Sequence, residues 1–112
     1  MNSNTYTVLT VQSFDRQAKR LVKKYPSLKA ELIALVERLS ADPKLGTDIG
    51  KNCFKVRLAI ASKGKGKSGG ARVITHLHIH ANHIYLLSIY DKADQGSISD
   101  RDIVKLLEQI TP

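Results

Sequence analysis

Three stretches in the second half of the chain alternate apolar with polar residues, and each is bounded by turn-forming residues. In Phe54 to Ile60, the apolar Phe54, Val56, Leu58 and Ile60 alternate with Lys55, Arg57 and Ala59. That period of two describes a strand with one face in the core and the other carrying cations. The run SKGKGKSGG, Ser62 to Gly70, reads as a flexible turn into a second strand, Ala71 to Ile79. There Val73, Thr75, Leu77 and Ile79 are expected on one face, and Arg72, Ile74, His76 and His78 on the other. Ala81-Asn82 supplies a tight turn, and Ile84 to Tyr90 makes the last strand. Links this short between strands imply an antiparallel meander.

The first half has a different period. Tyr6 to Val11 alternates and is rich in Thr and Val, which predicts a strand. Ser13 is placed to cap a helix whose Phe14, Ala18, Leu21, Val22 and Tyr25 recur at helical spacing. Pro26 stops it, and Ser27 caps a second helix with Leu28, Leu32, Leu35, Val36 and Leu39 on one stripe. Asp42-Pro43 and Gly46 end that one, so the pair should fold back as a helical hairpin. Near the end, Ser99-x-x-Asp102 forms a capping box ahead of Ile103, Leu106, Leu107 and Ile110. The predicted order is β-α-α-β-β-β-α. It corresponds to an α+β fold in which a small antiparallel sheet, a three-strand meander plus the N-terminal strand, carries the helices on one face. A length of 112 residues suits one domain, residues 1–112.

Charge narrows the function. The formal net charge is +8, and no Asp or Glu occurs from Ile49 to Tyr90. Lys51, Lys55, Arg57, Lys63, Lys65, Lys67 and Arg72 all fall inside that acid-free stretch, while acids gather on both sides of it. A polyanionic partner is favoured, because each cation set against a phosphate releases counterions. The single cysteine, Cys53, excludes an intramolecular disulfide and fits a reducing compartment. The start, MNSNTYTVLTVQ, lacks the pattern of a signal peptide, and no apolar run approaches the ~20 residues of a membrane span. A cytoplasmic protein with no membrane association is expected.

Several motifs compete for the chemistry. The loop KGKGKSGG has the glycines of a phosphate cradle, but Gly64 and Gly66 are too close together for a Walker loop, and a strand follows Gly70. A cationic finger following a nucleic-acid backbone is the better reading, with Lys63, Lys65 and Lys67 as its charges and Lys51 nearby. His76-x-His78-x-His80 would set three imidazoles on one strand face, a workable zinc arrangement. No carboxylate stands near to orient them, and Arg57 and Arg72 would repel a metal, so no metal or cofactor is expected. His76 and His78 then serve as contacts to RNA, or one imidazole as a general acid or base. Nothing suggests a serine hydrolase or a glycosidase, and Cys53 reads as structural.

The remaining constellation is cationic: Lys55-x-Arg57 on one strand, Arg72 opening the next, and Tyr90-Asp91-Lys92 closing the last. The strings FKVRLAI, GKGKSGGARVI and YLLSIYDK, behind two helices and DPKLG, resemble the RelE/ParE superfamily of bacterial toxins. The likeness is greatest to the RelE/HigB-like branch, and it runs from Phe14 to the final helix. It implies a toxin neutralised by a cognate antitoxin, a DNA-binding protein encoded next door. It also implies a ribonuclease that acts on messenger RNA at the ribosomal A site. In such members the 2′-hydroxyl of the messenger attacks the adjacent phosphate without metal. By the resemblance, Lys55, Arg57, Arg72, Tyr90 and Lys92 are the catalytic candidates. Arg57 and Arg72 would stabilise the phosphate, Lys55 would act as base on the nucleophile, and Lys92 would balance the leaving group. Tyr90 falls where aromatic residues stack on bases. Some relatives use a late Tyr or His for proton transfer. After Lys92 this chain has Ala93-Asp94-Gln95-Gly96, so Tyr90, His76 or His78 would have to stand in. The alternatives are a ParE-like inhibitor of DNA gyrase and a degenerate member that only binds antitoxin and DNA.

Overall fold

In the computed structural model, which describes residues 5–64 and 69–110, the core is a five-stranded mixed sheet in the order β1-β5-β4-β3-β2. The strands are β1 (Thr7–Thr10), β2 (Thr47–Gly50), β3 (Cys53–Leu58), β4 (Ala71–His78) and β5 (His83–Asp91). The meander β3-β4-β5 is antiparallel as expected, and β1 lies beside β5, parallel to it. The helices are α1 (Gln12–Lys24), α2 (Leu28–Ala41) and α3 (Asp100–Leu107).

Several details differ from the sequence expectation. The sheet is mixed where an antiparallel one was expected, because β1 and β5 are far apart in the chain and no hairpin turn sets their relative direction. Ser27 precedes α2, but its hydroxyl donates to Glu31 at 3.1 Å and accepts from the Ser62 N–H at 2.9 Å instead of capping the helix. β2 was not anticipated, because TDIG is too short and too polar to show a period. It is made by its turn: Gly50 pairs with Cys53 around Lys51 and Asn52, whose φ angles of 56° and 58° give the left-handed pair that a two-residue hairpin requires. Ser13 is not the cap of α1. The helix starts at Gln12 directly after β1, and the Ser13 hydroxyl donates to the Leu87 carbonyl at 3.0 Å. β4 ends at His78, so Ile79 and His80 lie in a 3-10 turn, Ile79 is exposed, and His80 does not extend the row of imidazoles. The helices also do not share one face. Phe14, Leu32 and Val36 of α1 and α2 surround a hollow with Leu86, whereas Leu106 and Ile98, on and before α3, surround another with Ser88.

A bulge in β5 decides which of its residues lie on which face. Ile74 pairs with Ser88 but Thr75 pairs with Leu86, so Leu87 is an extra residue in β5. Leu86, Ile89 and Asp91 therefore share the α1/α2 face with Phe54, Val56, Leu58, Val73 and Leu77, where the main core lies. Leu28, Leu35 and Leu39 of α2 complete it and are fully buried. β5 continues past the end of β1, and α1 satisfies the exposed strand edge. Gln17 Oε1 accepts from the Ile89 N–H at 3.0 Å and from the Ser88 hydroxyl at 3.1 Å. The expected capping box opens α3, with Asp102 N donating to Ser99 Oγ at 3.1 Å. Gln109 ties the far end of that helix to Ser13 through bonds of 2.9 and 3.0 Å. Among the described residues no helix is long and apolar enough to cross a membrane.

Candidate nucleic-acid interface

On the face opposite α1 and α2, Arg57, Arg72 and Tyr90 are direct cross-strand partners on β3, β4 and β5. Neighbouring strands are about 4.8 Å apart, so the three Cα atoms span roughly 10 Å in one line. Lys55 precedes Arg57 by two residues, on the same face and about 7 Å along the strand. Its partner on β4 is Ile74, which in turn pairs with Ser88 on β5, so Lys55 flanks the row on the α3 side. Lys92 lies on the other flank. It follows β5 directly, its N–H donates to Gly70 O at 3.0 Å, and its Nζ is 4.0 Å from where a Cβ on Gly96 would stand. Lys55 thus stands two residues before Arg57 at one side of the arginine row, and the Lys92 backbone stands two residues after Tyr90 at the other.

The members of the row are held differently. Arg57 is exposed, but Arg72 retains only 5% of its surface and Tyr90 6%. Arg72 Nη1 donates to Ala71 O at 3.2 Å. The Tyr90 hydroxyl is buried with no hydrogen-bond partner among the described residues. Burial pushes its phenol pKa up, and the Arg72 guanidinium pulls it part of the way back. At neutral pH this phenol keeps its proton. Its ring is too buried to stack on a nucleobase, which corrects that part of the expectation.

A buried ion pair lies behind the patch. Lys63 Nζ pairs with Asp91 Oδ1, and the side chains keep 10% and 2% of their surface. Lys63 also donates to Gly69 O at 2.8 Å and sits over the Tyr25 ring at 5.8 Å. Asp91 accepts from the Tyr25 hydroxyl at 2.8 Å and the Ala93 N–H at 2.9 Å. Lys63 is therefore engaged in holding the ends of the glycine-rich loop rather than standing free as a nucleic-acid contact. Lys65 and Lys67 lie outside the described residues.

His76, His78 and Lys51 are at the far end of the sheet. His76 is four residues from Arg72 along β4, about 14 Å. Its Nδ1 is 3.6 Å from Cys53 Sγ, and burial lowers its pKa despite hydrogen bonds to the backbone at Lys51 and Asn52. His78 and Lys51 are exposed. The geometry does not bring these three into the row. Among the described residues, no three His, Cys, Asp or Glu side chains are grouped closely enough to hold a metal ion.

One cation was not foreseen. Arg38, exposed in the last turn of α2, lines a hollow with Lys55 and Arg57. In sequence it is one more charge on the polar side of an amphipathic helix, and nothing about its spacing marks it out.

The family model for the RelE toxin of the RelE/RelB toxin–antitoxin system matches residues 7–111. The chain belongs to the RelE toxin family. Among solved structures, it is similar to an arginine double mutant of the E. coli toxin RelE in the free state, at 12% identity and a TM-score of 0.60. That match covers 96% of this chain and 99% of the other. It is also similar to a chain of the RelBE2 toxin–antitoxin complex from Mycobacterium tuberculosis, at 18% identity and a TM-score of 0.58, covering 83% of this chain and 98% of that one. At these identities the structural likeness speaks to the fold. The match to the RelE family model along the chain shows membership of the toxin family of type II toxin–antitoxin systems.

Proposed function

We propose that this RelE-family chain is an endoribonuclease that cuts messenger RNA on the ribosome. The observation that carries the reading is the line Arg57–Arg72–Tyr90 on one sheet face, flanked by Lys55 and Lys92. In the proposed step the 2′-oxygen bonds to the adjacent phosphorus and the bond from phosphorus to the 5′-oxygen breaks. The proton of the 2′-hydroxyl leaves to a base and another is delivered to the 5′-oxygen. The products are a cyclic phosphate and a free 5′-hydroxyl. Negative charge accumulates on the non-bridging oxygens, where preset guanidinium groups do most. Arg57 reaches the phosphate from the open side, and the buried Arg72 is a fixed charge beneath it. The Tyr90 phenol, which lies buried at the end of the row, serves as a proton or hydrogen-bond donor once the bound RNA displaces the groups that cover its hydroxyl. Lys55 and Lys92, on opposite flanks, suit the attacking and leaving oxygens, which lie on opposite sides of phosphorus in an in-line displacement.

A cognate antitoxin is the natural partner for a toxin of this family, and a formal charge of +8 favours an acidic one. Inducing the protein in cells and mapping messenger 5′ ends by primer extension tests the reading. New ends should appear with the wild type. They should be lost with Arg57→Ala, whose removal of one phosphate donor is expected to slow cleavage about 10²–10³-fold. Unchanged ends with both Arg57→Ala and Arg72→Lys would defeat it. Inhibition of purified gyrase in a supercoiling assay, without messenger ends, would establish the ParE-like alternative.

A further inference from the structure

The cationic surface continues around the edge of the sheet. β2 stops at Thr47 opposite Lys55, so Val56–Leu58 have no strand on that side among the described residues. α2 passes there, and Arg38 closes a hollow of about 210 Å³ whose walls include Gly46, Thr47, Lys55 and Arg57. Gly46 makes the close approach of this wall possible. Its φ is +100°, and a Cβ there would stand 2.5 Å from the Lys55 carbonyl oxygen. A second hollow of about 250 Å³ shares Arg38 and Arg57 but includes Glu31.

We propose that Arg38, with Lys55 and Arg57, holds a second phosphate of the bound RNA, adjacent to the one over the Arg57–Arg72 row. This rests on the ribonuclease reading only in where it puts the scissile phosphate. Three cations and no carboxylate line the first hollow. None of the three has an ion-pair partner among the described residues. Like charges converging on one space repel, and an anion between them adds an attraction to each cation that offsets that repulsion. The second hollow is less suited, because Glu31 contributes a carboxylate, although that group is occupied by the Ala61 N–H at 2.8 Å and the Ser27 hydroxyl at 3.1 Å. An RNA strand fits better than an isolated anion because Lys55 and Arg57 belong to both places. A chain of regularly spaced phosphates leaving the row over the β3 edge meets Arg38 next.

The test is binding of a fluorescent single-stranded RNA, 2′-O-methylated so that it cannot be cut, followed by anisotropy across a salt series. Arg38→Ala should weaken binding and reduce the slope of log K against log salt by about 0.7, the loss of one single-strand phosphate contact. Arg38→Lys should keep most of the slope. Lys19→Ala, exposed on α1 and outside both hollows, should change neither quantity. An unchanged slope in Arg38→Ala, an equal change in Lys19→Ala, or no RNA binding by the wild type would overturn the proposal. So would an Arg38→Ala protein that binds RNA normally and has lost affinity only for an acidic protein partner. Messenger cleavage with an Arg38-independent slope removes only the second site; an Arg38-dependent slope without messenger ends removes only the ribonuclease reading.

Discussion

Replacing Asp91 by Asn removes one charge of a buried pair and leaves the Lys63 ammonium facing a neutral amide. Only 2% of the Asp91 side chain and 10% of the Lys63 side chain are exposed, so water cannot make up the loss. Breaking a buried pair from one side costs about 3–5 kcal/mol, a large share of the ~5–15 kcal/mol that holds a domain together. With a urea m-value of ~2 kcal/mol/M, the midpoint should fall by roughly 1.5–2.5 M. The double replacement Lys63→Met with Asp91→Leu removes both charges and should recover most of that loss, since apolar pairs substitute well for buried ion pairs. Recovery will be incomplete, because Gly69 O and the Ala93 N–H lose their partners. The pH dependence has a definite sign. Burial alone would raise the Asp91 pKa, but hydrogen bonds from Lys63, Ala93 and Tyr25 outweigh it and hold the carboxyl below its ordinary 3.8. The folded value lies below the unfolded one, so the contribution is whole above that ordinary value and is lost as pH falls through the depressed one. Urea titrations of wild type and Asp91→Asn should differ at pH 7 and converge in strong acid. A single-mutant loss under ~1 kcal/mol, the range of an exposed pair, would refute the reasoning.

Tyr90→Phe deletes a buried hydroxyl that has no partner among the described residues, so stability should hold or rise by up to ~1 kcal/mol while messenger cleavage slows about 10²-fold or more. A loss of both in the same variant would mean that the hydroxyl is structural. Gly70→Ala would set a Cβ 2.2 Å from the Leu58 carbonyl oxygen, forcing β3 and β4 apart beside Arg57 and Arg72. Overpacking of that kind costs about 1–3 kcal/mol in urea melts, and an unchanged midpoint would contradict so close an approach of the two strands. Cys53 is fully buried, and burial first of all pushes its thiol up to about 11. A thiol reagent at pH 7.5 should therefore label the native protein slowly and the urea-unfolded protein at once; rapid native labelling would place the sulfur elsewhere.

Much of this molecule was legible in sequence because its elements carry strong periods. The stripes Leu28, Leu35 and Leu39 and the alternation Phe54, Val56 and Leu58 led to core positions that are buried as expected. Ser99 and Asp102 marked the start of α3 by local hydrogen bonding alone, which needs no tertiary context. The likeness of FKVRLAI and GKGKSGGARVI to the RelE toxins is matched by the family model over residues 7–111. β2 escaped because four residues are too few for a period. The pairing of Lys63 with Asp91 has no signature in sequence, because the two are 28 residues apart and pairing over that separation leaves no local trace.

What the amino-acid order determined by itself was the set of elements and the identity of the cations, since both follow from local spacing and from residue type. The convergence of those cations was decided by tertiary structure. Strict alternation from Ile84 and Leu86 would carry Ser88 and Tyr90 to the core face. The extra residue Leu87 reverses the pleat and brings Tyr90 into line with Arg72 and Arg57. Arg38 joins them only because β2 ends early and α2 fills the gap beside β3. Each of these placements depends on which neighbour a strand finds, and that is settled by packing between segments far apart in the chain.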